Sequence, residues 1–196
     1  MPLLLPFGGK SPRISATAWV ADNATLVGDV ELADDASVWF GCVLRADVGA
    51  IRVGARSNIQ DLSCVHLTEG LSETIVGEDV TVGHGVILHG CTVHDRALIG
   101  MGSVLLDGVV IGAGSVVGAG ALVTPRTIIP PGKLVLGSPA RVVRDVTPEE
   151  AALGIGGAAH YVTSARRYRS GGLGAGQGSL AIEAARSSGG SRRPRT

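Results

Sequence analysis

The chain has 196 residues, and its 17 acidic and 17 basic side chains leave no net charge. That balance excludes the general basic field with which many proteins bind nucleic acid. The leucine run at residues 3–5 is flanked by prolines and is too short for a membrane span or a signal peptide. We therefore expect one soluble domain with no nucleic-acid or membrane partner.

Residues 1–13 are predicted to form an extended lead-in that caps the open end of a repeat structure. From there to about residue 141, an aliphatic residue recurs at intervals of six. One unbroken series includes Ile99, Leu105, Ile111, Val117, Val123, Ile129 and Val135. One hexad makes a short strand and a corner, and three hexads make a triangular coil whose aliphatic side chains stack inside a prism. With 30 glycines for the corners and 3% aromatic residues, residues 14–141 are predicted to form an all-β, parallel β-helix.

Three histidines can be placed on this coil by counting along the hexads. His66 and His89 each follow an inward aliphatic residue, and one 18-residue coil plus five further residues separates them. If residues 71–75 loop out, the two rings stack one strand spacing apart on one face. The same counting, with residues 50–52 as a second insertion, places Arg45 at the head of their column.

His84 lies two positions after an inward valine, on the neighbouring face and near a corner. It cannot readily turn back onto the pair that His66 and His89 form in its own chain. If three prisms pack about a threefold axis, His84 of one chain meets the pair of the next. Three imidazoles with an open fourth position are the ligand set of a catalytic metal site. The counting therefore predicts a metal site shared between the subunits of a homotrimer.

Five short motifs extend this interpretation. They are Leu-Arg-Ala-Asp at 44–47, Ser-Asn-Ile-Gln-Asp at 57–61, the histidine at 66, Gly-Glu-Asp-Val-Thr-Val-Gly-His at 77–84 and Leu-His-Gly-Cys-Thr at 88–92. Together and in this order they resemble the gamma-class carbonic anhydrase-like proteins, over about residues 11–170. The resemblance implies a homotrimer of left-handed parallel β-helices, built from hexapeptide repeats and each followed by a C-terminal α-helix.

The resemblance also implies a role for each residue of the site. The metal would be Zn²⁺ or Fe²⁺, with Co²⁺ as a further candidate, and its ligands would be His66 and His89 of one chain and His84 of its neighbour. Gln60 would orient a metal-bound hydroxide through its side-chain amide, with Asn58 close by. An intersubunit ionic cluster would consist of Arg45, Asp47 and Asp61.

The implied activity is the reversible hydration of CO₂ to bicarbonate by that hydroxide at the subunit interface. The chain departs from the best-characterised form of the family in the residues that export the proton. Val48 stands where that form has a carboxylate after the Arg-x-Asp motif, and a short segment, residues 68–74, replaces a long acidic loop. Glu69 has the right offset from His66 to act as a substitute proton shuttle, and Glu73 is the next choice.

Two other classes of function stay open. The same coil carries acyltransferases, and short-loop members of the group are thought to act on coenzyme A thioesters. A metal-dependent hydrolase or transferase acting on such thioesters is therefore the second enzymatic hypothesis. The third hypothesis is a catalytically weak trimeric module within a larger complex. Detectable CO₂ hydration would oppose this module, and a stable partner without turnover would favour it.

After the coils, residues 142–170 are predicted to form a C-terminal helical segment. Thr147 begins a capping box with proline in the first turn, while Gly154 and the glycines after it are expected to weaken or interrupt the helix. Tyr161 lies near the place from which a family tyrosine reaches the metal pocket. Residues 171–196, rich in glycine and serine and with arginines near the end, are predicted to be a disordered tail.

Cys42, Cys64 and Cys91 are odd in number and have no paired metal-binding spacing. Buried free thiols are therefore expected at all three positions, rather than disulfides or a nucleophile. Because free thiols are typical of a reducing compartment, we expect a cytoplasmic protein.

Overall fold

The computed structural model describes residues 1–171, which form a parallel β-solenoid followed by one α-helix. Its elements, in chain order, are β1 (Leu3–Leu5), β2 (Arg13–Ile14), β3 (Trp19–Val20), β4 (Thr25–Leu32), β5 (Ser37–Val38), β6 (Val43–Val53), β7 (Asn58–Ile59), β8 (Cys64–His66), β9 (Thr74–Val76), β10 (Thr81–Val82), β11 (Ile87–His89), β12 (Thr92–Val93), β13 (Leu98–Ile99), β14 (Val104–Leu105), β15 (Val110–Ile111), β16 (Val116–Val117), β17 (Leu122–Val123), β18 (Ile128–Ile129), β19 (Lys133–Gly137), β20 (Ala140–Asp145) and α1 (Pro148–Ser170). The tail predicted for residues 171–196 lies, from residue 172 onward, outside the described residues. Within residues 1–171, no helix has the length and apolar character needed to cross a membrane.

Three faces surround the prism. The histidine face consists of the first half of β6 with β8, β11, β14 and β17. The loop face consists of the second half of β6 with β9, β12, β15 and β18. The helix face consists of β3, β5, β7, β10, β13, β16 and β19.

The core is a set of aliphatic stacks inside the prism, as the hexads predict. On the histidine face the parallel ladder aligns Leu44, Val65, Leu88, Leu105 and Val123. All five side chains are completely buried, and each contributes about 1.5–3 kcal/mol of hydrophobic stabilisation. The stack therefore fixes the register of every strand on this face, including those that end in histidine.

The ladder places His89 beside His66, as the counting predicts, but it moves the first insertion. The chain leaves the coil over residues 67–73, which form the excursion loop. The predicted insertion at 71–75 is wrong at its C-terminal end, because β9 already begins at Thr74 and pairs with β6.

The second insertion also lies earlier in the chain than predicted. Ala46 pairs with Gly28, and the next pair in the ladder joins Ile51 to Val30. The extra residues therefore fall within 47–50 rather than 50–52, and Asp47 lies on this insertion.

Helix α1 packs on the helix face and has the predicted capping box. The hydroxyl of Thr147 accepts the N–H of Glu150 at 3.3 Å, and the Glu150 carboxylate accepts the N–H of Thr147 at 2.9 Å. The expected interruption at the glycines is wrong, because these residues let the helix approach the strands closely. A Cβ on Gly157 would lie 2.9 Å from the hydroxyl oxygen of Thr81. The same hydroxyl donates a hydrogen bond to the carbonyl of Gly154. Close packing at this contact outweighs the low helix propensity of glycine.

An aromatic layer fills the space between α1 and the helix face. Neighbouring ring centroids within it are 4.7–6.4 Å apart, and its members are Trp19, Trp39, Phe40, Tyr161 and Tyr168. The strands in contact with α1 (β3, β5, β7, β10 and β16) all belong to the helix face. The helix therefore covers a different side of the prism from the one that carries the histidine pair.

Candidate metal centre

Two histidine rings lie side by side on the histidine face. His66 ends β8 and His89 ends β11, so the ladder puts both in one column. Their ring centroids are 5.2 Å apart, and Nδ1 of His66 lies 3.3 Å from Nε2 of His89. Both side chains are partly exposed. This histidine pair is therefore accessible to an ion from outside the prism.

A carboxylate holds the outer nitrogen of each ring. Asp47 Oδ1 is 3.2 Å from His66 Nε2, and Asp107 Oδ2 is 3.1 Å from His89 Nδ1. Burial raises the pKa of both aspartates, but hydrogen bonds from their neighbours outweigh it and leave each pKa below its usual value. Because an ionised carboxylate only accepts hydrogen bonds, the outer nitrogen of each ring carries the proton.

The inner nitrogens, Nδ1 of His66 and Nε2 of His89, face each other at 3.3 Å. In the neutral form of each ring they are the free acceptors, and two acceptors this close are stabilised by a proton or a cation between them. Two nitrogen ligands of a tetrahedral ion, with bonds of about 2.0–2.1 Å, are themselves separated by about 3.3–3.4 Å. The histidine pair therefore fits two ligands of Zn²⁺, Fe²⁺ or Co²⁺. Across residues 1–171, no three His, Cys, Asp or Glu side chains converge on one metal position.

His84 lies at the opposite edge of the histidine face, at the corner shared with the helix face. Its Nδ1 is 2.8 Å from Asp61 Oδ2, and 46% of its side-chain surface is exposed. The other oxygen of Asp61 accepts the N–H of Phe40 at 3.2 Å, which fixes the carboxylate. A carboxylate at Nδ1 favours the tautomer in which Nε2 is an acceptor. His84 is thus a single exposed candidate ligand, separate from the histidine pair of its own chain.

The two amide residues of the implied site lie beside this corner. The N–H of Gln60 donates to the carbonyl of Val82, which places Gln60 one coil away from the residue before His84. Its side chain is buried and donates from Nε2 to Asn58 Oδ1 at 3.1 Å. The side-chain amide of Asn58 in turn donates to the hydroxyl of Thr81 at 3.3 Å. The structure therefore brings Gln60 and Asn58 together on the His84 side, away from the histidine pair.

The residues of the implied ionic cluster are divided between the two edges of the face. Arg45 donates to Asp47 Oδ2 at 2.6 Å, so Asp47 bridges Arg45 and His66. Asp61 lies at the other edge with His84. Bringing all three charged residues together requires two chains, as does bringing all three histidines together.

The remaining catalytic candidates lie on the excursion loop and on α1. Glu69 and Glu73 are both exposed on the loop. Tyr161 packs its ring against Trp39 at 5.0 Å. Burial, followed by the negative charge of Asp61, raises the pKa of Tyr161. The phenol therefore belongs to the His84 side of the chain.

Asp107 is the site residue that sequence reasoning missed. It holds His89 and also accepts hydrogen bonds from Ser72 Oγ at 2.7 Å and Thr68 Oγ1 at 3.1 Å, both from the excursion loop. It lies 18 positions after His89, which is one coil. That spacing is the sequence feature that could have revealed it.

The prediction of three buried thiols is wrong at one position. Cys42 and Cys91 are buried, and burial raises the pKa of each to about 12. Cys64 is exposed because it precedes the inward Val65 and so points outward from the histidine face. All three cysteines are free.

Comparisons with known proteins agree with the hexapeptide repeat and show the family of the chain. The family model for bacterial transferase hexapeptide (six repeats) matches residues 90–125. Gamma carbonic anhydrase 1, mitochondrial, of Arabidopsis thaliana is 44% identical over 164 residues, which cover 81% of this chain and 60% of that protein. A carbonic anhydrase of Geobacillus kaustophilus is 50% identical over 76% of this chain and 81% of the relative. Protein YrdA of Escherichia coli is 46% identical over 76% of this chain and 85% of that protein.

Two solved structures show the same fold. A hexapeptide transferase family protein from Anaplasma phagocytophilum has a TM-score of 0.82 and 42% identity, covering 85% of this chain and 98% of that one. A putative acetyltransferase from Bacillus cereus has a TM-score of 0.84 and 41% identity, covering 86% and 98%. The match to the Arabidopsis protein, in contrast, spans about 60% of that relative's length.

Proposed function

Since the chain belongs to the gamma carbonic anhydrase family, we propose that it catalyses the reversible hydration of CO₂ to bicarbonate at metal sites shared between the subunits of a homotrimer. The observation that carries this proposal is the pair of facing ring nitrogens, His66 Nδ1 and His89 Nε2, 3.3 Å apart, in two rings whose outer nitrogens are each held by a carboxylate. The similarity to the carbonic anhydrase of Geobacillus kaustophilus supports the activity, and the free thiols support a cytoplasmic location.

The threefold assembly is proposed from the surface of the histidine face. One outward column of this face continues through β4 and β1. It is apolar except for Thr25, and its other members are Leu3, Val43, Cys64, Ile87, Val104 and Leu122. Among residues 1–171, helix α1 packs on another face, and a second chain would bury this column. A second copy on this face would bring its His84 edge against the histidine pair. The family also supports the left-handed sense of the coil.

The residues of the chain have distinct parts in this chemistry. A bound ion would lower the pKa of a coordinated water towards neutrality and act as a Lewis acid. His66 and His89 would present their inner nitrogens to the ion, because Asp47 and Asp107 hold the outer nitrogen of each ring. His84 of the neighbouring chain would present its Nε2 in the same way.

Gln60 and Glu69 would handle the reacting water and its proton. The Nε2 of Gln60 donates to Asn58, which leaves the Gln60 carbonyl oxygen to accept a hydrogen bond from the nucleophilic water. Glu69, exposed on the excursion loop, would take up the proton and pass it to buffer. Arg45 would stabilise the assembly through Asp47 and the neighbouring Asp61.

A second candidate activity is hydrolysis or acyl transfer on coenzyme A thioesters. The likeness to the putative acetyltransferase from Bacillus cereus favours it. The shared site would then polarise a thioester carbonyl instead of CO₂. A catalytically weak assembly module is the third candidate, and it would keep the apolar histidine face without turnover.

The proposal is tested by stopped-flow CO₂ hydration on anaerobically purified protein, with metal content measured on the same sample before and after loading with Zn²⁺ or Fe²⁺. We expect hydration to rise with metal content up to about one ion per chain. His89→Ala should abolish both, while His94→Ala, an exposed histidine on the loop-face side, serves as the matched control. Full metal occupancy without hydration would contradict the proposal, and hydrolysis of acetyl-coenzyme A would then be measured.

A further inference from the structure

The excursion loop and one member of the histidine pair share a single carboxylate. Asp107 Oδ2 lies 3.1 Å from His89 Nδ1 and also accepts from the hydroxyl of Thr68. The other oxygen, Oδ1, accepts from Ser72 Oγ at 2.7 Å. The carboxylate of Asp107 therefore joins the ring of His89 to two hydroxyls of the excursion loop.

The backbone is shaped to bring these groups together. Gly90 has a φ of +63°, and a Cβ there would lie 2.1 Å from both Asp107 Oδ1 and Ser72 Oγ. Glycine is therefore required for the carboxylate and the loop to meet beside His89. At the far end of the loop, Thr74 donates to the carbonyl of His66 at 2.6 Å and accepts the N–H of Gly90 at 2.9 Å.

We propose that Asp107 is a positioning residue that couples the order of the excursion loop to metal binding at His89. The inference rests on the proposed function, because it takes His66 and His89 as ligands. Asp107 directs Nε2 of His89 towards the ion by accepting the Nδ1 proton. The two loop hydroxyls hold Asp107 in the rotamer that does so. Since coupling between two events is reciprocal, a bound ion must also stabilise the loop.

The coupling makes a prediction about a residue that touches neither histidine. Ser72→Ala leaves the carboxylate in place and removes one of the hydrogen bonds that orient it. We expect this variant to bind Zn²⁺ about tenfold more weakly than the wild type, and Asp107→Ala about 10–100-fold more weakly. Asp107→Asn should recover part of the loss, because an amide can still accept from His89. Leu71→Ala, in the same loop but 68% exposed and outside this side-chain hydrogen-bond network, is the matched control and should bind as the wild type does.

The experiment is a Zn²⁺ competition titration against a chromophoric chelator on the full-length wild type and all four variants. Hydrogen exchange of the peptide that contains residues 67–73 is followed with and without Zn²⁺. Expected results are slower exchange of the wild-type loop on Zn²⁺ binding, and faster exchange of the zinc-free loop in Asp107→Ala and Ser72→Ala. The loop measurement gives a readout that needs neither metal nor activity.

The outcomes separate this inference from the function on which it rests. A wild type that binds Zn²⁺, together with Ser72→Ala at unchanged affinity, would overturn the coupling and leave the proposed metal site standing. Zn²⁺ binding that is weakened in Asp107→Ala, with loop exchange unchanged in every variant, would also overturn the coupling, because the order of the loop would then not depend on Asp107. A folded wild type that binds no Zn²⁺ would overturn the metal site, and the inference with it.

Discussion

A buried carboxylate, Asp29, fastens the N-terminal strands to the first coils. Lys10 donates to its Oδ2 at 2.8 Å, while Arg52 and Arg13 lie 3.0 Å and 3.4 Å from its Oδ1. The interactions of the carboxylate with Arg52 and then with Lys10 hold the pKa of Asp29 at about 2, well below its usual value. Because the residue is 5% exposed, solvent screens these interactions only weakly.

This ion cluster predicts a specific dependence of stability on pH. The folded pKa of Asp29 lies below its unfolded value, so its contribution is complete above about pH 4 and is lost as the pH falls towards 2. We expect Asp29→Asn to lower the free energy of unfolding by about 2 kcal/mol at pH 7, with the difference from wild type vanishing near pH 2. Urea unfolding at a series of pH values measures it.

The control for this prediction is an exposed aspartate in an ion pair. Asp145 is 79% exposed beside Lys133. Its change to asparagine should lower the free energy of unfolding by well under about 1 kcal/mol. A difference between wild type and Asp29→Asn that is the same at pH 7 and at pH 2 would show that the ion cluster is not its cause.

Single residues differ in how far the sequence specifies them. The place of His89 beside His66 is predictable from the hexad period, because the period fixes which residues point inward and therefore which positions come directly after them. Asp107 is not predictable from the period alone, since its role depends on side-chain hydrogen bonds between a corner and a loop. The residue type of Cys64 predicts burial, although its place before Val65 already turns it outward.

The sequence predicts the existence of the elements better than their first and last residues. Both insertions lie earlier in the chain than predicted, because Ile51 and Ile75 satisfy the aliphatic pattern in more than one register. Hydrogen bonds that the period does not encode settle the register, such as the one from the Thr74 hydroxyl to the carbonyl of His66. The helix beginning at Thr147 was predictable from its capping box. Its continuity through the glycines was not, because it depends on packing against strands distant in sequence.

One corner element carries a residue that the single chain does not explain. At the corner beside His84, successive coils use glycines with positive φ, namely Gly41, Gly85, Gly102 and Gly120, but one coil has Leu62 with a φ of 62°. A left-handed backbone costs a non-glycine residue about 1–2 kcal/mol. The Leu62 side chain is nevertheless 75% exposed. Burial of the leucine side chain against a neighbouring chain would offset the cost of this backbone strain.

Leu62→Gly therefore distinguishes the isolated chain from the trimer. Glycine relieves the backbone strain, but it removes an apolar contact worth about 2 kcal/mol if the leucine is buried between subunits. We predict that the dissociation constant of the trimer rises at least about tenfold, measured by analytical ultracentrifugation over a dilution series. Arg96→Gly, at φ 59° on the corner away from the histidine face, should leave assembly unchanged. A trimer of unaltered affinity and increased stability in Leu62→Gly would place the leucine outside any subunit contact.

At the scale of the whole molecule, the proposed site is divided into two halves that lie apart on each chain. The pair at His66 and His89 lies at one edge of the histidine face, and His84 lies at the other. A closed ring of identical subunits joins the two edges in every contact, so three chains make three sites. The proposed assembly therefore follows from the positions of the candidate ligands on the prism.

Mixed trimers test this sharing directly. His84→Ala keeps the pair and His66→Ala keeps the corner histidine, so neither variant alone has a complete site. When equal amounts are unfolded together and reassembled, three quarters of the trimers contain both chains, and the ring order gives each of these one intact site in three. We expect Zn²⁺ binding at about a quarter of the wild-type content, measured by metal analysis after dialysis.

The matched control is a mixture of His66→Ala with His89→Ala. Both substitutions damage the same half, so every pair in every trimer stays broken and no site can be rebuilt. Zn²⁺ in the first mixture but not in the second would require ligands from two chains. If instead both mixtures bound equal amounts, or the first bound none while remaining trimeric, the three histidines would not form one shared site, because complementation between opposite halves is what sharing demands.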